Sequence, residues 1–464
     1  MAVADAVTEI LGTDNFADYE RSVYESYQKK AEREIINTLN SLLSSEAFLV
    51  ILKAWGAKCG CKSHGFRDIS IRLKSGRKRK IHSPVFLKAK PKKRGRNPKR
   101  QKGRLRHLGL ELLGIIKKVT PALVEICLSM AVLCPSFDVA TNALQCLGIE
   151  MNQNLLQNIT RRFADLAITV RTDCHTEDIW QKPGINIMVC VDGGRCRERR
   201  TKRGKRKSDQ ERQGFYSDWF EPRLLSISQF DANGKKIKTI NPILDGSCGN
   251  MDDFFDLLRQ HLQKINLNEA SRIIFCSDSG PGIWPRTEKL IKDLKLHNAG
   301  CIIDYTHAKQ NINEVVSILS QALKLSEKKT GKLFRQIKDL LWNGNICGIS
   351  ELVKEKLSGK RKAPKAALKK LDNYFGDHSK FQYKAFQDSG LPTGSGSIES
   401  AIRRVINLRV KGTGMFWKKA NAENVIFLRS LVLTGKLRNA CRKACGIVEK
   451  MFNNYIIEGL PMAA

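Results

Sequence analysis

Apolar residues recur at helical spacing in the first part of the chain. Residues 27–55 predict one helix, and helical periodicity resumes over residues 108–133, with Pro121 as the expected break. Between these stretches, residues 69–73 alternate apolar and polar positions and predict a short strand that ends at Ser75-Gly76. The N-terminal part is therefore expected to be mainly helical.

A second pair of helices is predicted on either side of Gly148. The first helix is short, and the second places Leu155, Ile159 and Phe163 on one face. Such a pair predicts a helix-turn-helix, whose second helix would reach base edges and phosphates from its polar face. Ordinary packing of two helices is the alternative, because it gives the same pattern. The candidate DNA contacts on the polar face are Asn154, Asn158, Arg161 and Arg162.

From residue 181 the pattern changes to short apolar runs separated by turns. Strands are predicted at residues 185–191, 224–230 and 236–240, and Asn233-Gly234 is a hairpin turn signal between the last two. The predicted fold class is α/β, with a mixed five-stranded sheet in the order β-β-β-α-β-α-β-α, a helical N-terminal region and a helical insertion. After the amphipathic helix that follows the first three strands, the later elements are a strand at 272–276, a helix at 288–294 and a strand at 301–303.

Charge narrows the class of partner. The chain of 464 residues carries 81 Lys and Arg against 46 Asp and Glu, a formal net charge of +35. A hydrophobic fraction of 42% is enough for sizeable cores, which excludes a disordered basic tail protein. Nucleic acid is the partner that such a charge favours, through neutralised phosphates and released counterions. A ribosomal or chromatin protein would share this charge, so the charge alone indicates no activity.

The positive charge is densest between Arg77 and Arg106, a stretch with fifteen Lys or Arg and no acid. Pro and Gly interrupt it, so a solvated arm or loop that contacts the DNA backbone is expected. A localisation or solubility tract is the alternative. The candidate DNA-binding residues here are Arg77, Lys78, Arg79, Lys80, Lys92, Lys93, Arg94, Arg96, Lys99 and Arg100.

Fourteen cysteines are scattered along the chain, several of them inside apolar runs, as is typical of buried thiols in a reducing compartment. The close pairs Cys59/Cys61 and Cys441/Cys445 have no matching second pair, so a structural zinc ion is not expected. No signal peptide and no membrane span are indicated either. The sequence therefore predicts a cytoplasmic, nucleoid-associated protein.

Three acids stand in settings that suit catalysis. Asp192 ends the apolar run 187–191, Asp278 follows the run 273–276 and Ser277, and Glu399 follows the Gly/Ser-rich segment 394–398. Carboxylates at strand ends suit Mg²⁺, because the sheet fixes them while the loops stay open to a substrate. Each acid alone has a plainer interpretation as a turn former, an N-cap or a surface residue.

The strand order and these acids resemble the RNase H-like core of DDE transposases from bacterial insertion sequences. The resemblance covers residues 105–435 and departs from the family in the spacing between Asp278 and Trp284 and in a reduced cysteine knuckle upstream. It rests on Val191-Asp-Gly-Gly-Arg195, Ser277-Asp-Ser-Gly280, Ile303-Asp-Tyr-Thr-His-Ala308 and Gly394-Ser-Gly-Ser-Ile-Glu-Ser-Ala401, continued by Arg409-Val-Lys-Gly-Thr-Gly-Met-Phe-Trp417 and Asn421-Ala-Glu-Asn424.

The resemblance implies that Asp192, Asp278 and Glu399 are the catalytic metal ligands, with Mg²⁺ as cofactor and Mn²⁺ able to replace it. Asp304 and His307 match an aspartate–aromatic–x–His element of the family, so Asp304 is the rival of Asp278 as the second metal ligand. His307 either contacts the scissile phosphate as a catalytic residue or caps its helix.

Basic and aromatic residues beyond Glu399 extend the expected DNA path. Phe416 and Trp417 could stack on an unpaired base, although a place in the core of the C-terminal helices is the plainer expectation. The candidate DNA contacts in this region are Arg403, Arg404, Arg409 and Lys411.

The expected function is that of a DNA transposase, which cuts double-stranded DNA at the ends of an insertion sequence and joins them to target DNA. A water molecule or a DNA 3′-hydroxyl would attack, without a covalent protein–DNA intermediate. A homodimer or larger assembly on DNA and no membrane association are expected. The rivals are a structure-selective nuclease on the same fold and a domesticated transposase-derived DNA-binding protein without catalysis. The predicted domains are residues 1–66 (helical), 67–107 (basic arm or degenerate knuckle), 108–180 (helical, with the helix-turn-helix), 181–312 (first part of the catalytic core), 313–390 (helical insertion) and 391–464 (completion of the core).

Overall fold

The computed structural model describes residues 15–88, 104–175, 178–199, 218–278, 282–358 and 364–444, together with residues 12 and 280. Its contacts divide the chain into two compact units. The first unit comprises residues 1–131, 137–163 and 441–464, and the second comprises residues 132–136 and 164–440. The predicted DNA-binding residues Lys92, Lys93, Arg94, Arg96, Lys99 and Arg100 lie outside the described residues.

The first unit begins with two helices, where the sequence predicted one. α1 (Phe16–Ser44) and α2 (Glu46–Lys58) are separated at Ser45, whose backbone is extended with ψ 138°. The helical pattern continues through this residue, so periodicity alone could not locate the break. A three-stranded antiparallel sheet follows, formed by β1 (Cys61–Arg72), β2 (Lys78–Lys88) and β3 (Arg104–Arg106).

The prediction of a solvated arm from Arg77 onwards is wrong for its first part, because β2 occupies residues 78–88. Ile81 pairs with Ile69 across the sheet, and Ile81 and Phe86 are buried while Lys80 and His82 face solvent. These apolar positions bury enough surface to hold a strand in spite of the charge around them. Counting charges over the whole stretch concealed this local alternation.

Four further helices complete this part of the chain. They are α3 (Leu108–Leu112), α4 (Pro121–Leu133), α5 (Phe137–Cys146) and α6 (Gln153–Ala167). Gly148 (φ 71°) lies between α5 and α6, as the turn of the predicted pair requires. The helical stretch is interrupted before Pro121, where a break was predicted, and Pro121 occupies the first position of α4, which needs no backbone N–H. The predicted polar residues Asn154, Asn158, Arg161 and Arg162 are exposed on α6.

The second unit is built on a five-stranded mixed sheet, which confirms the predicted α/β class. The strands after β3 are β4 (Asn186–Gly193), β5 (Cys196–Glu198), β6 (Asp218–Phe220), β7 (Arg223–Gln229), β8 (Ile243–Ser247), β9 (Arg272–Ser277) and β10 (Ala299–Ile303). The order in the sheet is β10-β9-β4-β7-β8; β10, β9 and β4 run parallel, and β7 and β8 continue the sheet antiparallel. The short strands β5 and β6 form a separate antiparallel pair.

The third strand of the sheet lies later than predicted, at β8 instead of residues 236–240. Asn233-Gly234 does form a turn, closed by an isolated bridge between Phe230 and Lys236. Asp231 holds this turn by accepting hydrogen bonds from two backbone amides. The turn was therefore predicted correctly, but the strand resumes only after Pro242.

Helices cover the sheet and extend from its last strand. They are α7 (Met251–Leu262), α8 (Ile283–Asp293), α9 (Tyr305–Leu323), α10 (Glu327–Trp342), α11 (Ile346–Leu357), α12 (Pro364–Tyr374), α13 (Tyr383–Asp388), α14 (Gly396–Ile402), a π-helical turn (Arg403–Asn407) and α15 (Lys419–Leu433). Residues from β4, β9 and β10 share one continuous hydrophobic core with α9 to α12. Among the described residues no single helix is long and apolar enough to cross a membrane; α1 and α2 pass such a test only as a pair, bent by 64°.

Candidate functional site

Three acids directly follow residues that are neighbours across the parallel strands β4, β9 and β10. Val191, Ser277 and Ile303 are neighbours across β4, β9 and β10, and the Ser277 hydroxyl donates to the carbonyl of Val191 at 2.9 Å. The residues that follow these three in the chain are Asp192, Asp278 and Asp304, respectively. Because neighbouring strands lie about 4.8 Å apart, this register gathers three carboxyl groups at one edge of the sheet.

Asp192 lies on β4, the central strand of the five-stranded sheet, and is partly buried. Burial raises the pKa of Asp192 to about 6, from an ordinary value of 3.8. The Gly193 amide, which donates to Asp192 at 2.7 Å, and His307 act in the opposite direction, whereas the negative charges of Asp278 and Glu399 raise this pKa further. The pKa of Asp192 therefore depends on the charges of the other predicted site residues. A cation bound among them would reduce the repulsion between the carboxylates.

Asp304 has a clear structural task. It is fully buried and caps α9, where its Oδ1 accepts from the His307 amide at 2.8 Å. Its Oδ2 accepts from the Ser395 amide, and its own amide donates to the carbonyl of Ser277 at 2.9 Å. Asp304 thus joins β9, the start of α9 and the loop that leads into α14.

Asp278 is more open than Asp304. Its carboxylate is only partly buried, and its Oδ1 accepts from the amide of Gly280 at 3.0 Å. This contact belongs to the turn that follows β9. The two rivals therefore differ, because Asp304 uses both oxygens to hold the backbone while Asp278 lies at the surface of the same edge.

Glu399 reaches the acids from a short helix that packs on the sheet. Ile398 and Ala401 of α14 are buried, and α14 contacts β4 and β7. The Glu399 side chain remains 43% exposed, and its Oε1 lies 3.9 Å from His307 Nε2. The acid that is most distant along the chain is thereby brought to the helix that starts at Asp304.

Asp304, His307 and Glu399 form a group that could hold a metal ion, since their donor atoms all lie within 4.8 Å of one another. The donors are two carboxylates and an imidazole, with Asp192 and Asp278 on the neighbouring strands. Oxygen-rich sets of this kind are what a hard divalent cation prefers. The raised pKa of Asp192 fits the same conclusion, because burial and the negative charges of Asp278 and Glu399 all oppose the ionisation of its carboxyl group.

A second group of this kind was not found from the sequence. His175, Asp245 and His261 are all buried, with donor atoms within 4.8 Å. Arg171 donates to both oxygens of Asp245, at 2.6 and 2.7 Å, and His261 Nε2 lies 2.9 Å from Oδ2. Burial opposes ionisation, but Arg171 and His261 outweigh it and hold the pKa of Asp245 well below its ordinary range. This network is a buried ion pair that holds β8 in place. In the sequence its only sign is the position of Asp245 inside an apolar strand.

The predicted DNA contacts after Glu399 fall into two groups. Arg403, Arg404 and Lys411 are exposed. Arg409 departs from the prediction, because only 2% of it is exposed and its guanidinium lies 5.2 Å from the centre of the Trp417 ring. Burial lowers the pKa of Arg409 to about 10. Its stacking and burial explain its place in the motif better than a phosphate contact does.

The N-terminal basic residues also divide. Lys78 and Lys80 point to solvent from β2, whereas Arg77 and Arg79 are partly buried. Arg79 donates to the buried Glu32 at 2.6 Å, and Arg77 lies 4.0 Å from Glu25. Because side chains alternate along β2, only every second basic residue between 77 and 80 is exposed to solvent.

Comparison with known proteins gives little similarity in sequence. No family model and no curated protein matches the chain. A solved structure, the Drosophila P element transposase strand transfer complex, aligns over 73% of this chain and 87% of that chain, with 13% identity and a TM-score of 0.25.

Proposed function

We propose that this protein is a DDE-type DNA transposase, with an RNase H-like core interrupted by a helical insertion. The observation that carries this proposal is the gathering of acids at one sheet edge, where Asp192 and Asp278 follow paired residues of parallel strands and Glu399 arrives on α14. The antiparallel β4-β7-β8 ribbon, extended by parallel β9 and β10, supports the assignment of the core.

In this proposal Asp192, Asp278 and Glu399 hold Mg²⁺, which Mn²⁺ could replace. Bound divalent ions would activate the attacking oxygen and stabilise the leaving oxygen of a phosphodiester. Asp304 is a positioning residue, because its carboxylate accepts from the backbone on both sides of the site. His307, partly exposed and 3.9 Å from Glu399, would donate a hydrogen bond to the scissile phosphate.

The substrate in this proposal is double-stranded DNA, at the ends of the mobile element and in its target. The net charge of +35 favours a polyanion, and exposed basic residues follow Glu399 directly. Further contacts are proposed from the polar face of α6 and from Lys78 and Lys80. Two DNA ends must be held together for joining, so we expect at least a homodimer on DNA, working at the nucleoid in the cytoplasm.

A joining assay tests the proposal. Labelled DNA that carries the flanks of the encoding element is incubated with the protein, Mg²⁺ and a target plasmid, and joined products are separated by size. We expect joining by the wild type and loss of at least about 10³-fold with Asp192→Asn, Asp278→Asn or Glu399→Gln. Glu327→Gln, an exposed acid at the start of α10, is the matched control and should join normally.

The same assay separates the rival functions. A structure-selective nuclease would give cut DNA and no joined product. A DNA-binding protein without catalysis would retard the labelled DNA but leave it intact with either metal. Joining that persists in Asp192→Asn would show that the metal assignment is wrong.

A further inference from the structure

The two-stranded sheet formed by β5 and β6 follows Asp192 closely in the chain. It carries exposed arginine and aromatic side chains. Gly193 and Gly194 lead into β5, which pairs with β6 so that Arg197 lies opposite Trp219. Residue 417 adds a third segment, with the Trp417 amide donating to the carbonyl of Arg197 at 3.0 Å and the Arg199 amide donating to the carbonyl of Trp417 at 2.8 Å. The backbone of β5 is therefore hydrogen-bonded on both sides, to β6 and to residue 417.

Two guanidinium groups lie over one exposed ring on this sheet. The Cζ atoms of Arg195 and Arg197 are 5.6 and 5.4 Å from the centre of the Trp219 ring, and that of Arg197 is 5.7 Å from the Phe416 ring. Both arginines are exposed, and Trp219 itself is 45% exposed. We call Arg195, Arg197, Trp219 and Phe416 the aromatic platform.

Exposure and charge together indicate what the aromatic platform would bind. The half-exposed Trp219 ring offers a flat apolar surface, and the two guanidinium groups beside it offer positive charge. An apolar protein partner fits poorly, because it would have to cover two arginines as well. A nucleotide fits both features, since its base stacks on a ring while its phosphates pair with guanidinium groups. Duplex DNA keeps its base faces stacked inside the helix, so the ligand must offer an unpaired base.

The surroundings of the aromatic platform favour the same ligand. Glu198, the one acid within β5, lies 3.8 Å from Lys419, and Lys411 and Lys418, which precede and follow Phe416 in the chain, are exposed. Gly194 also approaches Ile406 of the π-helical turn that follows Glu399; a Cβ added to Gly194 would lie 3.3 Å from the Ile406 side chain. The platform thus follows β4, which carries Asp192, in the chain, and it lies close to the π-helical turn that follows the helix of Glu399.

We propose that the aromatic platform binds an unpaired base of a DNA strand, with Trp219 stacking on the base and Arg195 and Arg197 contacting the adjacent phosphates. This inference rests on the proposed function for the choice of DNA as the substrate. Trp417, the other aromatic that the sequence offered for stacking, is partly buried and its indole N–H donates to the carbonyl of Val410 at 3.0 Å. Its ring is therefore engaged inside the protein.

Binding measurements without chemistry test the proposal. In EDTA and in the Asp192→Asn background, a labelled oligo-dT strand and a duplex of equal length are titrated with protein and followed by anisotropy. We expect Trp219→Ala to weaken binding of the single strand by about five- to a hundredfold, with duplex affinity changed less than about twofold. Trp219→Phe should restore most of the lost affinity, because it keeps a stacking ring.

Matched variants secure the interpretation. Tyr24→Ala removes an exposed aromatic from α1 and should leave single-strand affinity unchanged. Oligo-dT should quench less tryptophan emission in Trp219→Phe than in the protein with all six tryptophans. If Trp219→Ala does not fold, as judged by circular dichroism, Trp219→Phe and Arg197→Gln supply the comparison.

The possible failures are distinguishable. Unchanged single-strand affinity in Trp219→Ala, or an equal loss for single strand and duplex, would overturn the platform even if joining activity is intact. Conversely, a protein that joins no DNA but loses single-strand binding with Trp219→Ala would keep the platform and lose the proposed transposase activity.

Discussion

Asp192 carries an electrostatic cost in the folded protein, because burial and two neighbouring acids oppose its ionisation. Its folded pKa of about 6 lies above the ordinary value of 3.8, so the folded state binds this proton more tightly than the unfolded state. The free energy of unfolding should therefore fall as pH rises from about 4 to 6, and the cost should be fully present above pH 6. It corresponds to about 3 kcal/mol at 1.36 kcal/mol per pKa unit.

Asp192→Asn should remove this cost. In EDTA, we expect the variant to be more stable than the wild type by about 2–3 kcal/mol at pH 7.5, and the difference to vanish near pH 4. Urea unfolding at several pH values measures it, and Asp256→Asn, at an exposed position of α7, is the control. A stability difference that does not vary with pH would contradict an origin in the ionisation of Asp192. Mg²⁺ should stabilise the wild type and leave Asp192→Asn unchanged.

The two rival acids should separate into a structural and a ligand role. Asp304→Ala leaves the His307 and Ser395 amides without their acceptor, so we expect a loss of about 2–3 kcal/mol of unfolding free energy. Asp278→Ala should cost less than about 1 kcal/mol, because this carboxylate is only partly buried. Denaturation with and without Mg²⁺ measures both, and the Mg²⁺ stabilisation should disappear in Asp278→Ala. Its survival there would make Asp304 the second ligand.

At the scale of elements, the sequence predicted what periodicity and local turn chemistry determine. The apolar runs that end at Asp192 and Asp278 located two parallel strands, and the Asn233-Gly234 turn was found. The break at Ser45 was missed because the helical pattern continues through it. The start of β8 was missed because residues 236–240 show a strand pattern too, and pairing with β7 selects Ile243–Ser247. The task of Asp304 could not be predicted either. It depends on the Ser395 amide, which approaches only when the chain has folded.

The turn between β1 and β2 provides a test of β2, the strand that the count of charges over residues 77–106 did not predict. Gly76 has φ +78°, and a Cβ there would lie 2.5 Å from the backbone nitrogen of Glu150. We expect Gly76→Ala to cost about 1–2 kcal/mol for the left-handed backbone and about 1–3 kcal/mol more for the collision.

Gly60→Ala is the matched control for this turn. Gly60 has φ +65°, and a Cβ there would meet no atom of the described residues within 4 Å. It should therefore show the backbone cost alone in urea unfolding. Equal losses in the two variants would mean that the contact between Gly76 and Glu150 does not constrain the turn.

At the scale of the whole molecule, the excess of positive charge should appear as a salt dependence of DNA binding. Each phosphate contact contributes about 0.9 to the slope of log affinity against log salt. The basic segment from residue 89 to 103 has no acid and contains six of the predicted DNA-binding residues. If this segment contacts the DNA backbone, each of its positive charges that pairs with a phosphate should add to the slope of log affinity against log salt.

Replacing six of these residues with Gln should therefore lower the slope by about 5, measured on metal-free protein with duplex DNA between low and physiological salt. The residues are Lys92, Lys93, Arg94, Arg96, Lys99 and Arg100. The control removes the same charge from exposed positions of α10 and α11, at Lys328, Lys329, Lys332, Arg335, Lys354 and Lys356. It should change the slope by less than about 1, since charges without a phosphate partner release no counterion. Equal reductions in both variants would show that the basic segment attracts DNA only through the net charge of the chain, so the local contact would be excluded by measurement.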